Sequence, residues 1–429
     1  EGVVVSDGVT VTTTDAQGIY QMRVKRNAPF VFVSVPAEYE IPVENGMPKI
    51  YKKIAMGDND VVQRSFKLER TGKKKRFTLL ALADVQIGRD DEVTMLDEEV
   101  LPLLIPYVQQ ELEAPVYGIS LGDLVWDNMP FHEVYKQRIR KIGVPVFQVI
   151  GNHDHNKAIT VDADADASFE AAFGPTYYSY NIGDCHFIVL DDVLYTGSSS
   201  YTADITDEQM AWLEQDLKYV PKDKLIIIGL HIATSRRNCP SSHVADYKEL
   251  YALLDGYNVR ILSGHSHNNY TTTISETGEE LCNDGSPRGY AVYEIEGNRI
   301  RNWYYKGTAF PREYQMYLYG PGEAVSEKYR DGLILNIFNW HTTWTVEVQE
   351  DNAGWVTLPS DSNLRYEMDR RAYDFMFGDT KPEHRPTAEP ESQNDHMFYY
   401  KPASESWGTV TVRASDPYGN VYTESIRNE

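Results

Sequence analysis

The chain of 429 residues carries a formal net charge of −23 at pH 7, and 41% of its residues are hydrophobic. The hydrophobic content is typical of a globular protein with buried cores, and the length predicts about three domains at roughly 150 residues per domain. A surface this acidic repels nucleic acids and anionic membranes, so neither is expected as a general partner.

Cysteine content and hydropathy exclude further classes of protein. Cys185, Cys239 and Cys282 form neither a disulfide framework nor a zinc-type spacing, although Cys239 and Cys282 could pair. No apolar run approaches the ~20 residues that a membrane-spanning helix needs, so no transmembrane segment is expected. The chain starts inside a strand-like pattern with no signal peptide, so we expect that an upstream segment has been removed.

Residues 1–68 predict a small antiparallel β-sandwich. Short stretches rich in Val, Thr and Tyr are separated by Asp-Gly and Ala-Gln-Gly turn signals, and no helical period competes. The predicted strands read GVVVSD, VTVTTTD, GIYQMRV and FVFVSVP. This region resembles the transthyretin-like or carboxypeptidase-regulatory-like modules at the front of secreted bacterial enzymes. It could serve as a plain spacer or as a binding module.

Residues 75–307 predict an α/β domain. Buried strands alternate with amphipathic helices such as VTMLDEEVLPLLIPYVQQEL and ITDEQMAWLEQDLKYV. The apolar strands read RFTLLALAD, VYGISLGD, PVFQVIGN, CHFIVLDD, KLIIIGLH and VRILSGHSH. Near-continuous apolar strands that alternate with helices indicate sheets covered on both faces.

Residues 310–429 predict a second all-β domain. The stretches GLILNIFNW, WTVEVQE, GWVTL and WGTVTVRA read as strands, and DPYGN reads as a turn. Four tryptophans lie here: Trp340, Trp344, Trp355 and Trp407. Because tryptophan is so often buried, these side chains favour a sandwich core over sugar-stacking platforms.

Ligand-type side chains follow five successive strands of the α/β domain. In open α/β sheets, ligands bind outside the carboxyl ends of the strands. Oxygen and imidazole groups without thiolates suit manganese, iron or zinc better than copper or an iron–sulfur cluster. The residues concerned are Asp84, Gln86, Asp123, Asn152, His153, His231, His265 and His267.

Each of these motifs is ordinary by itself. An Asp after a strand is usually a helix or turn cap, and a lone His beside a strand is more often a satisfied polar residue than a ligand. Gly-Asn-His-Asp at residues 151–154 is more specific, because the glycine frees the backbone and three ligand-type residues follow. The order and placement of all five motifs favour a metal site over coincidence.

The pattern Asp-x-Gln, Gly-Asp, Gly-Asn-His-Asp, Gly-His and Gly-His-x-His over residues 84–267 resembles the calcineurin-like metallophosphoesterase superfamily. Members usually begin Asp-x-His, so Gln86 is a departure. The flanking domains and the phrases FGPTYYSYNIGD and DGSPRGY resemble the secreted bacterial subgroup with N-terminal and C-terminal accessory β-domains. The resemblance implies an α/β fold, namely a metallophosphoesterase-type β-sandwich flanked by helices, with an all-β domain at each end. It also implies a secreted, periplasmic or cell-surface bacterial location.

The same resemblance implies a role for each motif residue. Asp123 would bridge two divalent ions of Mn, Fe, Zn or Mg. The further ligands would be Asp84, Gln86 and His267 in one site, and Asn152, His231 and His265 in the other. His153 would lie beside the phosphate and the leaving group as a proton donor, and Asp154 would orient His153. His155 falls outside the motif and is expected at the surface.

The implied chemistry is hydrolysis of a phosphate monoester or diester. Two metal ions clamp the phosphate and generate a bridging hydroxide near neutral pH, and an imidazole protonates the leaving oxygen. An amide oxygen at Gln86 would bind a transition metal more weakly than imidazole and favour harder ions such as Mg²⁺ or Mn²⁺. Two alternatives stay open: a nucleotide pyrophosphatase or nucleotidase on the same metal core, and a metal-retaining surface protein that binds partners without catalysis.

Substrate specificity is expected to come from loops around the rim of the sheet. Trp126, Tyr195, Arg236, Arg237 and Arg288 are candidates for substrate contact in those loops. Arg236 and Arg237 could bind a phosphate or a second acidic group, or could be solvated loop charges. The expected substrate is a phosphorylated small molecule or a glycan or lipid phosphate, and the oligomeric state stays open.

Overall fold

A computed structural model of the chain describes residues 1–58, 60–113, 115–197, 200–235, 243–267, 269–275, 278–282, 289–364, 367–377 and 396–428. Its elements form three regions in chain order, and the middle region has the predicted α/β architecture. None of the described helices is long and apolar enough to cross a membrane.

The N-terminal region is one antiparallel sheet with the strand order β2-β1-β3-β6. Its strands, with a short hairpin beside them, are β1 (Val4–Ser6), β2 (Val11–Thr13), β3 (Phe30–Ser34), β4 (Val43–Glu44), β5 (Met47–Pro48) and β6 (Tyr51–Lys53). Asn45 and Gly46 both have positive φ in the β4–β5 hairpin, which is the backbone that a tight two-residue turn requires.

The predicted β-sandwich of the N-terminal region is wrong in one respect, because the part of the region that the structure describes does not supply a second sheet of its own to pack on the first. Among the described residues of this region a single four-stranded sheet forms, and the predicted strand GIYQMRV is irregular chain instead. Phe30 and Phe32 of β3 pack into the core of the middle region, whereas Val31 packs on the opposite face with Val5 and Ile54. The sheet therefore uses the neighbouring region as its second layer.

The middle region is a sandwich of two sheets, with the orders β19-β18-β7-β8-β9 and β10-β11-β14-β15-β17-β16. Within them, β7, β8 and β9 run parallel, as do β11, β14, β15 and β17. The strands of this region, including a separate hairpin formed by β12 and β13, are β7 (Arg76–Leu82), β8 (Val116–Leu121), β9 (Val146–Val149), β10 (Tyr178–Ile182), β11 (Cys185–Val189), β12 (Val193–Gly197), β13 (Ser200–Ala203), β14 (Leu225–Gly229), β15 (Asn258–Ser263), β16 (Tyr270–Ser275), β17 (Gly278–Cys282), β18 (Gly289–Glu296) and β19 (Arg299–Gly307).

Helices cover the outer faces of the sandwich. They are α1 (Asp90–Met95), α2 (Leu101–Pro106), α3 (Phe131–Ile139), α4 (Asp162–Ala165), α5 (Ala167–Phe173), α6 (Asp207–Leu217) and α7 (Tyr247–Leu253), with π-helical turns at Leu96–Val100 and Tyr107–Glu111. Ala81 of β7 belongs to the core between the sheets, as does Ile227 of β14, while the alternate residue Leu80 belongs to a second core that includes Leu104 of α2. This period-two burial fixes the registers that carry the strand ends to the rim.

The C-terminal region is a β-sandwich, with sheets of order β20-β21-β24 and β23-β22-β25-β26. Its elements are β20 (Met316–Tyr319), β21 (Leu333–Ile337), β22 (Thr345–Glu350), β23 (Val356–Thr357), α8 (Arg370–Phe377), β24 (Met397–Tyr400), β25 (Thr409–Ser415) and β26 (Val421–Arg427). Trp340, Trp344 and Trp407 lie in the core between the sheets, as predicted. Trp355 is half-buried beneath the guanidinium of Arg413, 4.2 Å from the ring centroid.

Candidate metal centre

The predicted ligand residues meet at one rim of the middle sandwich, beyond the carboxyl ends of its parallel strands. The strand ends supply Asp84 and Gln86 after β7, Asp123 after β8, Asn152 and His153 after β9, His231 after β14, and His265 and His267 after β15. The two sheets face each other at this rim, since His231 Nε2 lies 3.3 Å from Asp123 Oδ1.

The backbone is unusual where these side chains emerge. Nine described residues other than glycine have positive φ, a region that L-residues rarely occupy. Six of the nine belong to this rim: Asp84, Gln86, Asp123, Asp127, His265 and His267. Backbone strain persists only where the surroundings enforce it, and it clusters at functional sites. The strand ends are therefore shaped for the placement of side chains rather than for local stability.

Two glycines let the loops approach each other closely. A Cβ atom on Gly151 would collide with the backbone nitrogen and Oδ1 of Asp123, and one on Gly122 would collide with the ring of His231. Gly122 also has φ of +87°. The glycine before Asp123 and the one before Asn152 are thus required by contact between neighbouring loops, not only by turn geometry.

Asp123, His231 and His265 form a group in which one ligand atom from each lies within 4.8 Å of the others. His231 Nδ1 lies 2.9 Å from the carbonyl oxygen of Leu121, so Nδ1–H donates there and Nε2 is left for a metal. The same Nε2 lies 3.1 Å from Asn152 Oδ1. These oxygen and nitrogen atoms are suited to a transition-metal ion.

Burial and charge compete at this group. Burial acts to lower the pKa of His231, but Asp123, Asp84 and Asp192 around it raise the pKa to about 10. Burial likewise opposes ionisation of Asp123, yet His231 holds the pKa of that carboxyl well below its usual range. Burial and His231 together lower the pKa of His265 to about 3. The buried carboxylates around His231 thus favour a positive charge between them, and a divalent cation would supply it.

A second group lies on the other side of Asp123. His267 Nε2 is 3.3 Å from Asp84 Oδ1, and the Gln86 amide lies between His267 and Asp123. Gln86 presents its nitrogen rather than its oxygen: Nε2 is 3.0 Å from Asp123 Oδ2 and 3.1 Å from His267 Nε2. The expected oxygen ligand is therefore not in a ligating orientation here, because the amide N–H donates to the carboxylate. A half-turn of the amide exchanges the two atoms.

His153 stands apart from both groups. Its Nδ1 lies 2.8 Å from Asp127 Oδ1, and its ring stacks on Trp126 with centroids 3.8 Å apart. Its Nε2 faces the centre, 3.9 Å from Asp123 Oδ2. The other oxygen of Asp127 accepts a hydrogen bond from Lys157 at 2.5 Å. The imidazole is thus held on one side by a carboxylate and on its face by an indole.

The expected role of Asp154 is wrong. Its buried carboxylate accepts hydrogen bonds from the backbone N–H groups of Leu124, Val125 and Gly151 at 2.8–3.2 Å, and His132 Nε2 lies 3.3 Å away. Asp154 therefore ties the β8 and β9 loops together, and the partner of His153 is Asp127. Sequence reasoning missed Asp127 because it lies outside the motif pattern, although it follows Asp123 by four residues in the same loop.

The other residues considered near the rim differ in whether they lie at the metal centre or in the interior. Trp126 lies beside the centre, stacked on His153, and its contact with substrate stays a prediction. Tyr195, predicted to contact substrate from a rim loop, is instead buried in β12 and stacks on His155 with ring centroids 5.6 Å apart. His155, expected at the surface, is therefore buried as well. His155 Nδ1 lies 2.9 Å from the Gly151 carbonyl oxygen, which uses the imidazole to support the loop. A residue not anticipated, Tyr201 of β13, has its ring 6.2 Å from that of His265.

Several candidates lie outside the described residues, namely Arg236, Arg237 and Arg288, together with the side chains of the possible cysteine pair Cys239 and Cys282. Cys185 is a buried free cysteine, as expected for a packing residue.

Three family profiles of calcineurin-like phosphoesterases match the chain in succession. The N-terminal profile matches residues 1–71, the core profile residues 77–269 and the C-terminal profile residues 261–422. The chain belongs to the calcineurin-like phosphoesterase family. This phosphoesterase is therefore a hydrolase of phosphoester bonds, and its family implies dependence on divalent metal ions. No curated protein matches it in sequence.

Solved structures resemble about half of the phosphoesterase at low sequence identity. A dimetal phosphatase from Danio rerio is 15% identical with a TM-score of 0.41, over 54% of this chain and 96% of that one. A 5′-nucleotidase from Candida albicans is 12% identical with a TM-score of 0.36, over 53% of this chain and 51% of that one. A phosphopantetheinyl hydrolase from Mycobacterium tuberculosis is 12% identical with a TM-score of 0.35, over 49% and 90% of the two chains.

Proposed function

We propose that this phosphoesterase hydrolyses monoesters or diesters of phosphorylated small molecules, glycans or lipids at a centre of two divalent ions. The observation that carries the proposal is the position of Asp123 between two ligand groups. Its Oδ1 faces His231, at 3.3 Å, and its Oδ2 faces Gln86, at 3.0 Å. A single carboxylate between two sets of ligands is the arrangement that a shared bridging ligand requires.

The ligands of the two ions would come from the two groups around Asp123. One ion would be held by Asn152, His231 and His265, and the other by Asp84, Gln86 and His267. Divalent ions bound there would supply Lewis acidity toward the phosphate and a water that ionises near neutral pH. With a net charge of −23 on the chain, bound cations would also attract an anionic substrate that the surface otherwise repels.

His153 would hold the proton that the leaving oxygen needs. Because Nδ1–H donates to Asp127, a second proton on the ring must lie on Nε2, which faces the centre. Asp127 would stabilise the protonated ring and fix its direction, and Trp126 would prevent it from turning out of the plane. Trp126 is half-buried, so its edge is also available to a substrate, and Arg236, Arg237 and Arg288 stay candidates for contacts with further acidic groups.

We also propose that the protein works outside the cytoplasm of a bacterium. The support is the resemblance of the two flanking β-regions to modules of secreted enzymes. Fractionation of a bacterial host that expresses the natural gene, followed by immunodetection, tests this. Detection only in the cytoplasmic fraction contradicts it.

The activity is tested with a substrate panel at saturating Mn²⁺. Sugar phosphates, lipid phosphodiesters, nucleotides and a nitrophenyl ester would be assayed on wild-type protein and on Asp123→Asn. We expect the wild-type protein to hydrolyse at least one class of ester that Asp123→Asn does not hydrolyse. A clear preference for nucleotides would select the nucleotidase alternative, and no turnover of any ester by metal-loaded wild type would overturn the proposed activity.

A further inference from the structure

The loop that carries His265 and His267 needs support on both flanks. His265 and His267 have φ of +66° and +48°. This left-handed backbone conformation is unfavourable for residues other than glycine, so surrounding contacts must hold it in place. On its N-terminal flank, the backbone N–H of His265 donates to the Asp84 carboxylate at 3.1–3.2 Å. Asp84 is itself a proposed metal ligand, so this support belongs to the centre.

The support on the other flank comes from the C-terminal region. Two residues after His267, the Asn269 amide nitrogen donates to the carbonyl oxygen of Phe338 at 3.2 Å and to Asn339 Oδ1 at 2.7 Å. Phe338 and Asn339 lie in the connection between β21 and β22 of the C-terminal sandwich. The contact therefore joins the end of the histidine loop to a different region of the chain.

Asn339 is anchored in turn. Its Nδ2 donates to Gln315 Oε1 at 3.0 Å, and Gln315 Nε2 donates to the backbone carbonyl oxygens of Tyr305 and Arg312, each at 2.7 Å. Asn339 is 4% exposed and Gln315 is 1% exposed. Three amides thus form one chain of hydrogen bonds, two of whose members are buried.

The direction of every amide in this chain is fixed by its ends. The carbonyl oxygens of Tyr305 and Arg312 can only accept, so Gln315 must present its nitrogen to them and its oxygen to Asn339. Asn339 must then present its oxygen to Asn269, whose nitrogen also meets the carbonyl oxygen of Phe338. Since no member can turn without losing a buried hydrogen bond, the chain holds Asn269 in one place.

We propose that the C-terminal region positions the metal-ligand loop through Asn339, so that it is part of the metal centre's scaffold rather than a spacer or a separate binding module. The inference rests on the proposed function, in which His265 and His267 bind metal. Asn339 and Asn269 are positioning residues: they touch neither metal nor substrate and act through the backbone that carries the two histidines.

The test compares Asn339→Ala and Asn269→Ala with Asn420→Ala. Asn420 supplies a matched control, because its Nδ2 donates to Asn302 Oδ1 at 2.8 Å and so also links the C-terminal region to the middle one. Asn302 pairs with Glu294, which pairs with Thr78 near the start of β7, at the end of the strand away from the metal rim. Asn269→Ala breaks the contact with Asn339 and also the one with the Phe338 carbonyl oxygen, but it leaves the buried Asn339–Gln315 bond in place. It therefore remains informative if Asn339→Ala fails to fold.

Two quantities are measured on the metal-stripped proteins. The first is their affinity for Mn²⁺, and the second is the rate of backbone hydrogen exchange in residues 258–275 without metal. We expect the Mn²⁺ dissociation constant to rise roughly 10-fold or more in the two loop-contact variants, Asn339→Ala and Asn269→Ala. Losses of this size are typical when a residue that orients a metal ligand is removed from a metalloprotein. Exchange in residues 258–275 should also rise, while Asn420→Ala should leave both quantities near wild type.

Unchanged Mn²⁺ affinity in a folded Asn269→Ala protein would overturn the positioning role, and equal effects in Asn420→Ala would reduce the contact to general interface stability. If wild-type protein itself binds no Mn²⁺, the proposed function fails instead. The exchange measurement then decides alone, and unchanged exchange in both loop-contact variants would overturn the role.

Discussion

Removal of the His153 side chain should affect substrates according to their leaving group. In His153→Ala the proposed metal ligands are intact, but the imidazole whose Nε2 faces Asp123 at 3.9 Å is lost. A nitrophenolate leaves without protonation, whereas an alkyl or sugar alkoxide does not. The variant should therefore retain much more activity on a nitrophenyl phosphate than on an alkyl phosphate.

The expected size follows from the contacts of the ring. General acid catalysis contributes roughly 10²–10⁴-fold, so the loss on the alkyl ester should exceed the loss on the nitrophenyl ester by about that factor. In Asp127→Asn an amide oxygen still accepts the hydrogen bond from Nδ1, at 2.8 Å in the wild type, but without charge assistance. The difference between a charged and a neutral hydrogen bond is about 1–1.5 kcal/mol, so this variant should lose roughly 5–10-fold on the alkyl ester.

The assay is kcat/KM on both esters at saturating Mn²⁺, with metal content measured on the same samples. Asp331→Asn is the matched control, because Asp331 pairs with Lys401 at 2.5 Å, as Asp127 pairs with Lys157, but in the C-terminal region. Asp331→Asn should change neither rate. Equal losses on both esters in His153→Ala would refute the proton-donor role and leave His153 as a phosphate-positioning group.

Two further changes test the surroundings of the centre and the stability of the fold. Gln86→His should lower the Mn²⁺ or Zn²⁺ dissociation constant of metal-stripped protein, because imidazole replaces an amide that presents nitrogen to Asp123; an unchanged constant in titration would mean that Gln86 does not reach the metal. Asp166→Asn should stabilise the protein by about 1–3 kcal/mol at alkaline pH, because a neutral amide replaces a buried carboxyl whose ionised form burial disfavours. Burial, Glu170 and Asp191 raise the pKa of Asp166 to about 9, so folding keeps a proton that the unfolded chain releases above its ordinary pKa, and stability falls as pH rises from about 4 to about 9. The gain measured by denaturant unfolding should accordingly be larger at pH 8 than at pH 5, and an equal gain at both would contradict the shift.

The strand ends were predictable because two independent signals coincide there. Continuous apolar runs identify buried parallel strands, and the polar motifs that end them can only lie at the rim. The positions of Asp123, Asn152 and His231 follow from that argument alone. The partner of His153 did not follow, because Asp127 is a common residue in a loop and only the folded path of the β8 loop brings it to the ring.

Contacts between regions were the other part that the sequence left open. β3 is an apolar run that is buried along its whole length. Such a run cannot show whether the partner of Phe30 and Phe32 is a second sheet of the same region or a neighbouring region. Tyr195 and His155 look like rim residues by position, but they stack on each other in the interior. Asn269, Asn339 and Gln315 are polar residues far apart in the sequence, and their hydrogen bonds exist only in the assembled fold.

The central claim is that two divalent ions share Asp123. The most direct test is the amount of Mn²⁺ bound per chain by metal-stripped wild type and by Asp123→Asn, measured by equilibrium dialysis with elemental analysis. We expect two ions per wild-type chain and loss of most bound metal in the variant, because the removed charge serves both ligand groups. Retention of both ions by a folded Asp123→Asn protein would contradict the bridging assignment.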